Sequence, residues 1–201
     1  MRALTVQNVL NTKLRTAEFE GVWKEAFGCP ELKGTWIVYG ETKNGKTDFT
    51  MKLAKYLTRF GKVLYNAVEE GRSISFQEAI KRNNLIEVNR KMLICDNEPI
   101  EELIERLKKQ RSPKIIIIDT LQFWGLQYKE YLFMRSAFKN KLFIYVSHVE
   151  GKHPKGNIAK DIMKLSNVIC RVEGFRMFPV SRYGGGQHMD LNDELTKKNW
   201  L

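Results

Sequence analysis

The strongest constraint on the fold is the octapeptide Gly40-Glu41-Thr42-Lys43-Asn44-Gly45-Lys46-Thr47, GETKNGKT. It follows the apolar run TWIVY and precedes DFTMKLAKYLTRF, in which Phe49, Leu53, Leu57 and Phe60 share one helical face. A short β-branched and aromatic run reads as a buried strand. The octapeptide is therefore a turn between a buried strand and an amphipathic helix, and it fits G-x-x-x-x-G-K-[ST] without a mismatch. Gly40 and Gly45 let the backbone curl so that successive N–H groups form an anion nest. The positive end of the helix beginning near Gly45 adds to that field. Lys46 then reaches the β- and γ-phosphates of a nucleotide, and Thr47 offers a hydroxyl to Mg²⁺. Residues Gly40 to Thr47, with Asp48 behind them, are the expected nucleotide-binding segment. The competing account is a fortuitous glycine turn, which the strand–loop–helix context disfavours.

The rest of the chain alternates strands with amphipathic helices, which argues for an α/β fold built on a mainly parallel sheet. KVLYNAV (62–68), KMLIC (91–95), KIIIIDT (114–120) and LFIYVSH (142–148) read as strands, the third buried on both faces. Helices are expected over Ser75–Arg82, from Pro99 with the stripe Ile100, Leu103, Ile104 and Leu107, over 127–139 and at about 158–165. Gly61 is expected to stop the helix over 46–60 that follows the octapeptide. NVICRVEGFRMFPVSRYGGG reads as two strands joined at Glu173-Gly174. The chain divides into a preamble over 1–34 that packs on the core, a core over 35–186, and a polar tail over 187–201. That tail reads as mobile, with Trp200-Leu201 able to dock.

Composition narrows the function classes. Lys and Arg number 34 against 23 Asp and Glu, a formal charge of +11 in 201 residues, which favours polyanionic partners such as nucleic acid. No stretch approaches the roughly 18 apolar residues of a membrane helix. MRALTVQNVLNTKLR lacks the apolar region of a signal peptide, so a cytoplasmic protein without membrane attachment is expected. Cys29, Cys95 and Cys170 form no CxxC pair, and His148, His153 and His188 lack metal-ligand spacing.

Two further strand ends carry chemistry. Asp119 closes IIIID, where a carboxylate completes an Mg²⁺ site opposite Thr47. Glu69-Glu70 closes the second strand, at the sheet edge where ligands of open α/β sheets bind. A water attacking the γ-phosphate needs such an acceptor, and on residue chemistry alone either glutamate serves. Ser147-His148 ends the fifth strand, where a polar pair can sense the γ-phosphate; a plain strand-end polar pair fits equally.

These stretches together resemble the RecA-like P-loop ATPases, and among them the RadA-type DNA-recombination ATPases. FGCPELKGTWIVYGETKNGKT is similar to that family's entry segment, strand and phosphate loop, and VLYNAVEEG to its second strand with the water-activating glutamate. IIIIDTLQ is similar to its Walker B strand, and VSHVEGKHPKGNIAKDIMKLSNVICRVEG to its sensor strand and second DNA-binding loop. VSRYGGG resembles a late motif whose lysine and arginine reach a neighbouring subunit's nucleotide. The resemblance spans roughly 22–186 and implies a three-layer α/β/α fold with late antiparallel strands. It implies ATP and Mg²⁺ as ligands, Glu69 as the catalytic carboxylate with Glu70 as runner-up, Ser147 as sensor, and Arg182 acting between subunits of a ring or filament. The lysine of the late motif falls on Val180, and the segment after Asp119 is short.

The same resemblance makes Gly151–Lys160 a DNA-facing loop, in which Lys152, Lys155 and Lys160 would neutralise backbone phosphates without reading bases. Phe123, Trp124, Tyr128 and Tyr131 lie in the other candidate loop, placed either to stack on single-stranded bases or to pack the core. The leading expectation is an Mg-ATP-hydrolysing enzyme that interacts with single-stranded DNA in recombination, repair or replication. The alternative is a nucleotide-dependent switch that binds a protein, such as a replication or recombination component, with little DNA affinity. A small-molecule kinase would need an arginine-rich lid, and no such segment is present.

Overall fold

In the computed structural model, which describes residues 3–200, the apolar runs become strands of one sheet. They are β1 (Gly34–Gly40), β2 (Val63–Ala67), β3 (Met92–Asp96), β4 (Ile115–Asp119), β5 (Leu142–Glu150), β6 (His153–Pro154), β7 (Val168–Glu173), β8 (Arg176–Ser181) and β9 (Met189–Asp190). The order is β3-β2-β4-β5-β1-β7-β8-β9, with β6 paired to β5 off that path. From β3 to β7 the pairings are parallel, while β7–β8, β8–β9 and β5–β6 are antiparallel. The helices are α1 (Val6–Leu10), α2 (Gly21–Phe27), α3 (Lys46–Leu57), α4 (Ile74–Arg82), α5 (Ile100–Lys108), α6 (Leu121–Trp124), α7 (Tyr128–Ala137), α8 (Asn157–Leu165) and α9 (Asp193–Trp200).

The run Ile115–Ile118 shows how the layers arise. Successive strand side chains alternate faces, so Ile115 and Ile117 join a core with Phe49, Leu53 and Leu57 of α3, while Ile116 and Ile118 join one with Leu103 of α5 and Met134 of α7. All four are essentially buried, each contributing about 1.5–3 kcal/mol of transfer free energy. Two helical layers thus sandwich the sheet. The preamble packs through Ala17, Phe19, Ala26 and Phe27.

The structure departs from the sequence reading at four places. Helix α3 ends before Gly61: Thr58 caps it, its hydroxyl donating to the Lys55 carbonyl at 2.6 Å, and Gly61 is not left-handed. The segment after Asp119 is the short helix α6 rather than a loop, because Trp124 turns inward and its Nε1 donates to the Glu98 carbonyl at 2.9 Å. The 151–160 loop is partly a hairpin, with Val149 opposite Pro154 and Glu150 opposite His153. The segment from Gln187 carries β9 and α9, held on β8 by the Arg176–Asp190 pair at 2.5 Å and by Trp200 Nε1 donating to the Gly174 carbonyl at 3.1 Å. Leu201 lies outside the described residues.

Candidate nucleotide site

Every chemistry-bearing strand end points to one edge of the sheet. β1 runs into the GETKNGKT loop, β2 into Glu69 and β4 into Asp119, and the Val68 and Glu69 N–H groups both donate to the Asp119 carbonyl, at 2.6 and 3.1 Å. That bridge sets Glu69 beside Asp119. A cavity of 370 Å³ opens there, bounded by Thr42, Lys43, Gly45, Lys46, Thr47 and Asp48 on the loop side. Glu69, Glu70, Asp119, Thr120 and His148 face them.

The loop needs its glycines. A Cβ on Gly40 would lie 1.9 Å from the Val172 carbonyl oxygen of β7, and Gly45 caps α3 with φ 93°. Asn44 ties the loop to the β7–β8 turn: its Oδ1 accepts from the Gly174 N–H at 2.7 Å and its carbonyl from the Phe175 N–H at 3.3 Å. Lys46 is buried, with Nζ donating to the Glu41 carbonyl at 2.7 Å. Burial lowers its pKa, opposed by the charges of Asp119, Glu69 and Glu41. Asp48 accepts from Arg82 Nε at 2.9 Å and from Asn83 at 2.8 Å.

On the opposite wall the Asp119 carboxylate accepts from the Tyr65 hydroxyl and, at 3.0 Å, from the Thr120 hydroxyl. Burial raises its pKa, and those two donors oppose the rise. Glu69 accepts from the Thr120 hydroxyl and lies 3.4 Å from His148 Nε2. Glu70 borders the same cavity but is engaged elsewhere, taking a 2.7 Å hydrogen bond from Ser75 at the start of α4. The His148 imidazole is lowered in pKa by burial; Glu69 opposes this, and Lys46 and Lys155 add to it.

Several expected residues stand outside the cavity. Ser147 is fully buried, and its hydroxyl is engaged by Gln122 Nε2 and the His148 carbonyl, both at 2.8 Å. His148 is the member of that pair lining the cavity. Arg182 follows β8 at the far edge of the sheet, since Ser181 is in register with Val168 at the start of β7. Lys152 borders a separate cavity behind Gly40 and Glu41. Lys155 is exposed, whereas Lys160 pairs with Glu150 at 3.5 Å. Trp124 and Tyr131 are buried, leaving Phe123 and Tyr128 exposed.

The sequence reading missed Tyr65, Thr120 and Gln122. Thr120 follows Asp119 directly, so its place at the strand end was the available signal. Gln122 bridges the sensor strand to the hairpin, donating to Ser147 and to the Lys155 carbonyl while its Oε1 accepts from the His148 N–H at 3.0 Å. Nothing local in LQFWG marks it.

The parallel sheet, the glycine loop on β1 and the carboxylate ending β4 define a RecA-like P-loop fold. No protein-family model matches the chain, and no curated protein matches its sequence. Among solved structures it is similar to the flagellar accessory protein FlaH from Methanocaldococcus jannaschii, with a TM-score of 0.62 and 11% identity, covering 90% of this chain and 96% of that one. It is also similar to the ATPase domain of G40P, with a TM-score of 0.53 and 15% identity, covering 79% and 80%. At these identities the likeness establishes the fold.

Proposed function

We propose that the chain binds Mg-ATP at GETKNGKT and hydrolyses it. The observation that carries this reading is the convergence of Lys46, Thr47, Glu69 and Asp119 on one cavity at the carboxyl ends of β1, β2 and β4. The loop fits a polyphosphate: Gly40 packs against the Val172 carbonyl, Gly45 takes the left-handed turn into α3, and Lys46 Nζ reaches back across the loop to the Glu41 carbonyl. Thr47 and Asp119 fit Mg²⁺, a hydroxyl and a carboxylate supplying the few protein oxygens that this ion takes beside substrate phosphates. When bound, the ion neutralises charge developing on the phosphate oxygens.

Glu69 is the carboxylate that takes a proton from the attacking water. Its neighbours Thr120 and His148 orient it over the cavity, whereas Glu70 is engaged by Ser75. Lys46 stabilises the charge spread over the transferred phosphoryl group. Phosphate release from ATP with Lys46→Ala as the inactive control tests this. Equal rates for wild type and Lys46→Ala would overturn it.

The finer reading follows the RadA-type resemblance: an assembly of this chain as a ring or filament that moves or remodels single-stranded DNA. Lys152 and Lys155 are both exposed near the hairpin of β5 and β6, and the charge of +11 supports a polyanionic partner. Arg182, exposed and remote from this chain's own cavity, suits a role on a neighbour's nucleotide. Single-stranded DNA at low salt is expected to raise the hydrolysis rate. A second reading, a nucleotide-dependent switch for a protein partner, is favoured by the pairing of Lys160 and the burial of Trp124 and Tyr131, which shrink the DNA-facing set. Absence of DNA stimulation alongside intact basal hydrolysis would select it.

A further inference from the structure

Phe175 stands at the tip of the β7–β8 turn with φ +60°. That is an outlier conformation for a bulky aromatic residue, and such strain persists only where the surroundings over-determine it. They do so here from two sides. The phosphate loop takes the Phe175 N–H on the Asn44 carbonyl. The C-terminal segment donates to the Phe175 carbonyl twice, from the Leu191 N–H and the Thr196 hydroxyl, each at 2.9 Å. The ring so fixed packs against the loop: a Cβ built on Gly45 would lie 3.1 Å from Phe175 Cδ1 and 3.4 Å from Leu191 Cδ1.

This ring is a wall common to two adjoining cavities. One holds the loop and the catalytic carboxylates. The other, of 320 Å³, is bounded by Lys52, Leu191 and Leu195 and shares Asp48, Arg82 and Phe175 with the first. The two cavities therefore meet along one rim, formed by Asp48, Arg82 and Phe175. The second cavity is built rather than incidental. Lys52 Nζ donates to the Leu191 carbonyl at 2.7 Å, and Arg82 is anchored on Asp48 by two hydrogen bonds at the common rim.

We propose that this second cavity is the nucleoside subsite, in which the nucleobase stacks on the Phe175 ring against the apolar side chains of Leu191 and Leu195. The planar Arg82 guanidinium at the rim supplies a second stacking surface. Stacking on an aromatic ring tolerates any base and is worth roughly tenfold in affinity or more. The C-terminal segment is thereby part of the ligand site, and it bears on the phosphate loop through Phe175 and Asn44. This inference rests on the reading of GETKNGKT as a nucleotide loop.

The test compares Mg-ADP with Mg-tripolyphosphate by titration calorimetry on the full chain. Phe175→Gly removes the ring while keeping a residue at ease with φ above zero, so the turn is preserved. It is expected to weaken ADP about tenfold and to leave tripolyphosphate unchanged, with Phe175→Trp retaining ADP affinity. An equal loss for both ligands would show that the ring acts only through the loop, and no loss for either would remove it from the site; each result overturns the proposal. Wild type that binds tripolyphosphate as tightly as ADP also overturns it while leaving the phosphate loop intact. Wild type that binds neither refutes the nucleotide reading itself.

Discussion

Glu69 and Glu70 are adjacent and chemically identical, yet their surroundings separate them. Glu69 faces Thr120 and His148 across the cavity, and Glu70 is held by Ser75. Glu69→Gln is expected to lower kcat by about 10²–10⁴ with KM near the wild-type value, whereas Glu70→Gln changes it by no more than a few fold. Steady-state phosphate release measures both. The Asp119 pKa is raised from its ordinary value by burial, against the hydrogen bonds from Tyr65 and Thr120. Its native pKa is raised, so the stability it contributes is lost as pH rises through that value. Asp119→Asn is therefore expected to raise Tm of the free protein by roughly 2–5 °C while abolishing Mg²⁺-dependent hydrolysis. His148 titrates in the opposite sense. Its native pKa is lowered, so as pH falls below the ordinary histidine value the unfolded chain takes up a proton that the native chain refuses, and stability falls. Urea midpoints measured from about pH 7 to pH 5 should drop for wild type and drop less for His148→Gln.

At the scale of elements, the phosphate loop is held by what lies behind it. β1 and β7 approach so closely at Gly40 that any side chain there meets the Val172 carbonyl. Gly40→Ala is expected to cost about 3 kcal/mol or more, read as a fall in the urea midpoint, since backbone on both sides cannot yield. The elements themselves were largely legible: the apolar runs at 35–39, 62–68, 91–95, 114–120 and 142–148 all became strands, the four inner ones because burial on both faces selects continuous apolar residues, while β3 at the sheet edge leaves Leu93 and Ile94 exposed. Helix α6 was not legible, because four residues carry too little periodicity, and its place depends on Trp124 reaching Glu98 at a sequence distance. The segment from Gln187 was misjudged for the same reason. Its composition is polar, and its hold on the fold comes from hydrogen bonds to Phe175, Gly174 and Lys52 that lie far away in sequence.

At the scale of the molecule, part of the positive charge is tied up within the fold. Lys160 is paired and Lys141 is engaged by Ser112 and Pro113, while Lys152 and Lys155 stand exposed near the hairpin. If they meet single-stranded DNA phosphates, Lys152→Ala with Lys155→Ala should reduce the slope of log K against log salt by about 1.4, with little change between sequences. Fluorescence anisotropy across a salt series measures it, and an unchanged slope would move the DNA contact elsewhere.

The sequence by itself determined the sheet-forming runs, the phosphate loop and the carboxylates at the ends of β2 and β4, because these depend on local pattern: period, glycine freedom and position at a strand end. Only the tertiary structure decided which glutamate meets Thr120 and His148 and which is taken by Ser75, that Ser147 is enclosed while His148 is presented, and that the C-terminal segment folds back onto the loop. Those outcomes depend on which groups meet across the sheet edge. Hydrogen bonds such as Ser75 to Glu70, Gln122 to Ser147 and Leu191 to Phe175 form between residues whose sequence neighbours carry no sign of the partner.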